Sequence, residues 1–148
     1  MRNMSFSLTT AALFKKPRRS KYHAKPITID GIRFASRAEC ARYCELKMMA
    51  DSGEIECFSL QPIYELYAGI KYIADFQYIR KGYAFTTVED VKGFKTPVFR
   101  LKMKMMKAKW PGLDIQIIKI DSRRADLSIA AYQAMIRTKR RSPCGGES

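Results

Sequence analysis

The run Val88-Glu89-Asp90-Val91-Lys92-Gly93 sets an acid and a lysine two residues apart, and Asp75 lies a short way upstream. Side chains alternate faces along a strand, so Asp90 and Lys92 point the same way, about 6.8 Å apart along the backbone. Glu89 and Val91 point the other way. If Asp75 sits on the adjacent antiparallel strand, two carboxylates and one ammonium converge on one face. Two close carboxylates repel and are costly to ionise unless a cation lies between them. Mg²⁺ meets that need: it is hard, prefers oxygen, and takes one or two carboxylates plus waters and a phosphate. It would acidify a bound water and polarise a phosphodiester. Lys92 would orient that water or stabilise charge developing on the phosphate. The backbone carbonyl of Val91 is a further candidate ligand. The plainer alternative is a same-face ion pair between Asp90 and Lys92 on an exposed strand. Against it, Val88 and Val91 are β-branched and Ala74 and Phe76 flank Asp75, which marks inner strands where charge is expensive without a partner. Glu39 is the third candidate acid. Its spacing from Ser36 is that of a capping box, which predicts a bond to the Ser36 N–H; a first-turn Glu facing the sheet can also reach a metal.

These residues need strands and helices to hold them. Asp30-Gly31 between Ile27–Ile29 and Ile32–Phe34 predicts a two-residue hairpin. Ser36 caps a helix that stops near Ser52-Gly53. Strand-like runs follow at Ile55–Leu60, Ile63–Leu66, Lys71–Ile79 and Tyr83–Lys92, with a turn at Lys81-Gly82. Thr96-Pro97 opens a second helix that ends near Trp110-Pro111-Gly112. Val98, Leu101, Met105 and Ala108 recur along it at helical spacing, which predicts its buried face. Asp114–Ile120 is strand-like and Ser122–Ile136 helical. After the hairpin the order is α-β-β-β-α-β and a last helix, which predicts an α/β fold with a mixed central sheet flanked by helices.

The chain has 148 residues, 28 Lys+Arg and 14 Asp+Glu, for a net charge of +14. One domain is expected, at residues 26–136. Residues 1–25 carry seven basic groups and no acid, and residues 137–148 carry four against one acid. Both read as basic flexible arms, and the body between them is close to balanced. Such arms suit a polyanion, above all nucleic acid; the bland alternative is that they only solubilise the protein. Lys15, Lys16, Arg18, Arg19, Lys21 and Lys25 are the N-terminal candidates. Seven further basic residues and no acid fall between Lys92 and Lys109, including Lys95, Arg100 and Lys104, and suggest a phosphate-facing surface. No apolar run is long enough for a membrane span, and the cysteines read as reduced, which predicts a cytoplasmic protein with no membrane partner. Zinc on Cys40 and Cys44 would need Cys57 or His23 as a further ligand; small buried cysteines are the commoner outcome. A lone histidine disfavours Ser-His-Asp chemistry, and no P-loop or Rossmann fingerprint is present.

Taken in order, Lys21–Lys25, Asp30–Glu39, Leu60-Gln61-Pro62, Ile73–Phe76 and Val88–Lys95 resemble the PD-(D/E)XK nuclease superfamily, closest to small phage-encoded endonucleases of the Holliday-junction-resolvase and RecB-like type. The resemblance spans roughly Lys21 to Trp110 and implies a restriction-endonuclease-like αβββαβ core. It implies a Mg²⁺-dependent DNA endonuclease, with Mn²⁺ as a substitute, acting on branched DNA as a homodimer in the cytoplasm of a phage-infected or lysogenic bacterial host. Residue by residue, it matches Glu39 to the acid of the first helix, Asp75 to the first motif acid, and Asp90 and Lys92 to the (D/E)-x-K pair. Gln61 matches a polar position near the site in some relatives, and Lys102 on the next helix is placed to contact phosphate. Ala74 stands where the name-giving pattern has Pro. Glu89 competes with Asp90 as the metal ligand, although the spacing to Lys92 favours Asp90. The competing functions are a non-catalytic nucleic-acid-binding module of the same fold and a basic phage interaction protein.

Overall fold

The computed structural model describes residues 26–141. The basic candidates from Lys15 to Lys25 and the residues from 142 onward lie outside them. Asp30 and Gly31, both at positive φ (53° and 76°), turn β1 (Ile27–Ile29) back onto β2 (Ile32–Phe34), as the dipeptide predicts. The Ser36 hydroxyl accepts the Glu39 N–H at 3.1 Å and starts α1 (Arg37–Asp51). Gly53, at φ 77°, lets the chain leave α1 past the Ser52 cap.

Next come β3 (Ile55–Leu60), β4 (Ile63–Glu65), β5 (Lys71–Ile73), β6 (Phe76–Arg80) and β7 (Thr86–Val91). Thr96 accepts the Phe99 N–H at 3.2 Å and Pro97 takes the first position of α2 (Pro97–Lys109). The chain closes with β8 (Asp114–Ile118) and α3 (Ser122–Arg141). The central sheet has the order β3-β6-β7-β8. Its first three strands are antiparallel, and β8 joins β7 in parallel after the α2 crossover. The protein is thus α/β, with a mixed central sheet and, among the described residues, three helices.

Alternation along β6 and β7 divides the core in two. Phe76 and Tyr78 pack with Cys40, Cys44 and Leu46 of α1 and with Ile129 and Tyr132 of α3. On the other face Val88 packs with Phe99 and Met106 of α2 and with Leu66 and Tyr72 from the β4–β5 hairpin. Among the described residues no helix is long and apolar enough to cross a membrane.

Three expectations need correction. The run Lys71–Ile79 is not one strand: it breaks at Ala74-Asp75, where the Ala74 N–H turns to Pro62 and the Asp75 N–H to Glu89. That break frees β4 and β5 to form their own hairpin over α2. The buried stripe of α2 is Phe99 and Met106 with Met103 and the expected Met105 packed beside them, while Val98, Leu101 and Ala108 are exposed. Two apolar stripes compete on this helix, and the one with the larger side chains buries more area. Finally, α3 runs through Arg141 rather than ending at Ile136. Lys139 reaches Asp51 of α1 at 2.9 Å, so the first part of the expected tail is helix.

Candidate active site

Asp75 occupies the break between β5 and β6. Its N–H donates to the Glu89 carbonyl at 3.0 Å, and its carbonyl accepts the Gln61 N–H at 2.9 Å. Its side chain reaches across to β7, where Oδ2 accepts the Val91 N–H at 2.6 Å. Two backbone bonds thus fix the residue, and the Val91 N–H holds its carboxylate against the end of β7. A strand residue turns its N–H and C=O to the same neighbour, so the Val91 carbonyl also faces the Asp75 side.

Asp90 is fully buried. Lys92 Nζ donates to its Oδ1 at 2.6 Å, and the Tyr72 hydroxyl donates to its Oδ2 at 2.6 Å. The Lys92 ammonium also lies 5.0 Å from the centre of the Phe99 ring. Burial and the bond to Asp90 push the Tyr72 hydroxyl well above its usual range, so it remains a donor. Alternation therefore sets Asp90 and Lys92 on one face as expected, with a third partner that the reading of Lys71–Ile79 as a continuous strand conceals.

Glu39 stands in the first turn of α1. Its Oε2 accepts the Ala35 N–H at 3.0 Å rather than the Ser36 N–H that a capping box predicts. Glu39, Gln61 and Asp75 line one cleft of about 230 Å³, with Arg33 and Leu60 in its wall. Burial pushes the Asp75 carboxyl up to about 7, against the lowering effect of the Val91 N–H, and the Asp90 and Glu39 charges add to the rise. A carboxyl so placed binds a proton where a cation would otherwise stand. Asp75, Asp90 and Glu39 offer hard oxygen donors of the kind Mg²⁺ prefers. Among the described residues, however, no three Asp, Glu, His or Cys side chains form a ready metal cage. The donor set suits an ion held by one or two carboxylates plus water.

Glu89 lies on the opposite face. Arg42 of α1 grips it with a two-pronged bond, Nε to Oε2 and Nη2 to Oε1, both 2.6 Å. The Tyr78 hydroxyl donates to the same carboxylate at 2.5 Å. Glu89 is fully buried and committed to Arg42, which places the accessory-ligand candidate on the wrong side of β7 for the Asp75 cluster. Arg42 is the pairing that local reading misses. The signal was a lone arginine inside the apolar stretch Cys40–Cys44, facing a strand whose alternation turns Glu89 inward.

The remaining candidates divide by cleft. Lys102 bonds the Lys71 carbonyl at 2.8 Å and shares a cleft of about 300 Å³ with Lys92, Thr96 and Val98. Lys95 and Arg100 line another, with Lys107 and with Ile115 and Ile117 of β8. Lys104 is exposed on α2. Cys40 and Cys44 are buried in the core and Cys57 is exposed on β3, so small-residue packing accounts for the first two; His23 lies outside the described residues.

Fold and site together define an α/β protein in which Asp75, at the break before β6, shares a cleft with Glu39 of α1 and feels the charge of Asp90 on β7. The family model described as "Protein of unknown function (DUF1064)" matches residues 19–124, and the chain belongs to that family. The match takes in every strand, α1, α2 and the start of α3. No curated protein and no solved structure matches the chain.

Proposed function

We propose that this protein is a metal-dependent DNA endonuclease of the PD-(D/E)XK type, with Glu39, Asp75, Asp90 and Lys92 as its working residues. The observation that carries the reading is the Asp75 carboxylate, in the break before β6, bonded to Val91 of β7, next in the chain to Asp90 with its Lys92 ammonium. The element order α1-β3-β6-β7-α2-β8, with β8 parallel to β7, supports it as the order the resemblance implies. The basic residues of α2 and its flanks supply the attraction for a phosphate backbone.

Asp75 and Asp90 would hold a divalent ion, with Glu39 and the Val91 carbonyl beside them; bound there, the ion would supply an acidified water and a polarised phosphate. The chain's own part is positional and electrostatic. The Val91 N–H aims the Asp75 carboxylate, and Tyr72 fixes Asp90. Lys92 brings a positive charge to the point where a phosphate gains negative charge during attack. Lys102 and Lys71, one cleft away, would steady the neighbouring part of the strand. Branched DNA and a homodimer are part of this proposal, since a junction presents two equivalent strands to a two-fold partner.

A second reading has an observation of its own. Both Asp90 oxygens are already engaged, by Lys92 and Tyr72, as they would be in a binding module that keeps the fold without the chemistry. Labelled four-way junction and linear duplex, incubated with Mg²⁺ or with chelator, separate the two. The nuclease reading expects Mg²⁺-dependent cleavage that falls by at least about a hundredfold in Lys92→Met and in Asp75→Asn while binding persists. Binding without cleavage under any divalent ion overturns it in favour of the module.

A further inference from the structure

β8 is the last strand of the central sheet, and among the described residues β7 is the only strand paired with it. The Lys92 N–H donates to the Ile118 carbonyl at 3.0 Å, so Ile118 turns its backbone toward β7. Alternation then turns the N–H and C=O groups of Ile115 and Ile117 to the open edge. The side chains of the same two residues pack toward Phe99 and Met106 of α2. With Phe99 and Met103 they line a cleft of about 190 Å³ whose charged residues are Lys95, Arg100 and Lys107, and no acid lines it. Asp114 and Gln116 lie on the other face of β8 and bond each other at 2.7 Å. β8 holds neither lysine nor proline, the residues that commonly blunt an exposed edge. Free backbone groups, an apolar floor and three cations therefore meet at Ile115 and Ile117.

We propose that this edge is a docking site for an extended acidic peptide of another protein, which adds as a strand beside β8. Strand addition satisfies the backbone groups of Ile115 and Ile117, and side chains at alternate positions of the incoming strand enter the cleft. The cleft asks for an apolar side chain on its floor and carboxylates beside Lys95, Arg100 and Lys107. A DNA backbone would answer the cations but leave the edge N–H groups and the isoleucine floor without partners. A second copy of this chain is the poorer occupant: an antiparallel β8–β8 pairing would set the three cations of each copy beside those of the other, in a chain of net charge +14. The chain's own ends do not supply the ligand either, since residues 1–25 hold no acid and residues 142–148 only Glu147. The inference is independent of the nuclease reading, because it uses none of Glu39, Asp75, Asp90 or Lys92.

The probe is a fluorescein-labelled peptide of repeating Glu-Thr-Val-Thr, which as a strand sets Glu and Val on one face and Thr on the other. It is titrated with the full chain and followed by anisotropy. Saturable binding is expected, at least about tenfold weaker for Arg100→Glu/Lys107→Glu, whose substituted side chains are exposed. A peptide N-methylated at every second residue, which keeps its charge but loses edge donors, is expected to bind at least about tenfold more weakly than the parent. Hydrogen exchange at the Ile115 and Ile117 amides is expected to be fast in the free protein and slowed by the parent peptide. No binding of the parent peptide overturns the inference. So does equal binding of the N-methylated peptide, which would reduce the contact to charge alone. Protection of the two amides in the absence of peptide also overturns it, and protection that grows with protein concentration would make the edge a contact between copies. None of these results bears on cleavage, whose own test is Asp75→Asn.

Discussion

Asp75 is the residue on which the site's pH behaviour turns. Its carboxyl is pushed from the usual 3.8 up to about 7, first by burial and then by Asp90 and Glu39. The folded protein therefore keeps a proton that the unfolded chain gives up. Stability of the metal-free protein should fall as pH rises from about 4 to about 7 and level off above that. Asp75→Asn retains an acceptor for the Val91 N–H and removes the charge. The variant is expected to unfold at a higher temperature than wild type at pH 8 and at nearly the same temperature at pH 4, by thermal melts in chelator. A wild-type melting temperature that does not change across that range would refute the assignment. The proximity of Asp90 and Lys92 was legible because a spacing of two on a strand is local geometry. The bond from Tyr72 to Asp90 was not, because the break at Ala74-Asp75 resets the alternation on which such reading depends. The bond of Glu39 to Ala35 rather than Ser36 is a one-residue difference that capping-box spacing cannot separate.

At the scale of elements, the hairpin at Asp30-Gly31, the caps at Ser36 and Thr96 and the stop at Gly53 could all be read from short motifs. Each is decided by residues a few positions apart. The buried face of α2 could not be, because Phe99, Met103 and Met106 are selected by what packs on them from β7 and the β4–β5 hairpin. The seating of α1 on the sheet is likewise non-local. Arg42 and Glu89, far apart in sequence, tie α1 to β7, and Arg42 also bonds Glu45, which Arg124 and Ser128 of α3 hold in turn. Glu39 lies one turn before Arg42, and Asp90 follows Glu89, so this pair sets the distance between two of the candidate acids. Arg42→Met leaves Glu89 buried without its counter-ion and should cost about 3–5 kcal/mol in urea unfolding. The double variant Arg42→Met/Glu89→Met should recover most of that loss. A single variant as stable as wild type would show that the pair does not hold α1 in place.

For the whole molecule, charge is the dominant feature. The described body carries Lys95, Arg100 and Lys107 around one cleft and Lys71, Lys92 and Lys102 around another, and seven further basic groups lie in residues 1–25. Removing residues 1–20 should weaken DNA binding on every sequence alike and flatten its dependence on salt. A salt slope equal to that of the full chain would remove the N-terminal segment from the interface. The order of the main elements along the chain was legible from its periodicity, because the longer strands and helices each show their own period. The separation of the β4–β5 hairpin from the central sheet was not, and with it went the exposed cross-strand pair Ile63 and Ile73. The proposed nuclease chemistry needs Asp75 and Asp90 to share a divalent ion. Calorimetric titration of Mg²⁺ into the metal-free protein at pH 7 tests it most directly. A saturable site is expected, with proton release as Asp75 ionises, that Asp75→Asn abolishes; an absence of binding heat, or binding that Asp75→Asn leaves intact, would refute the shared ion.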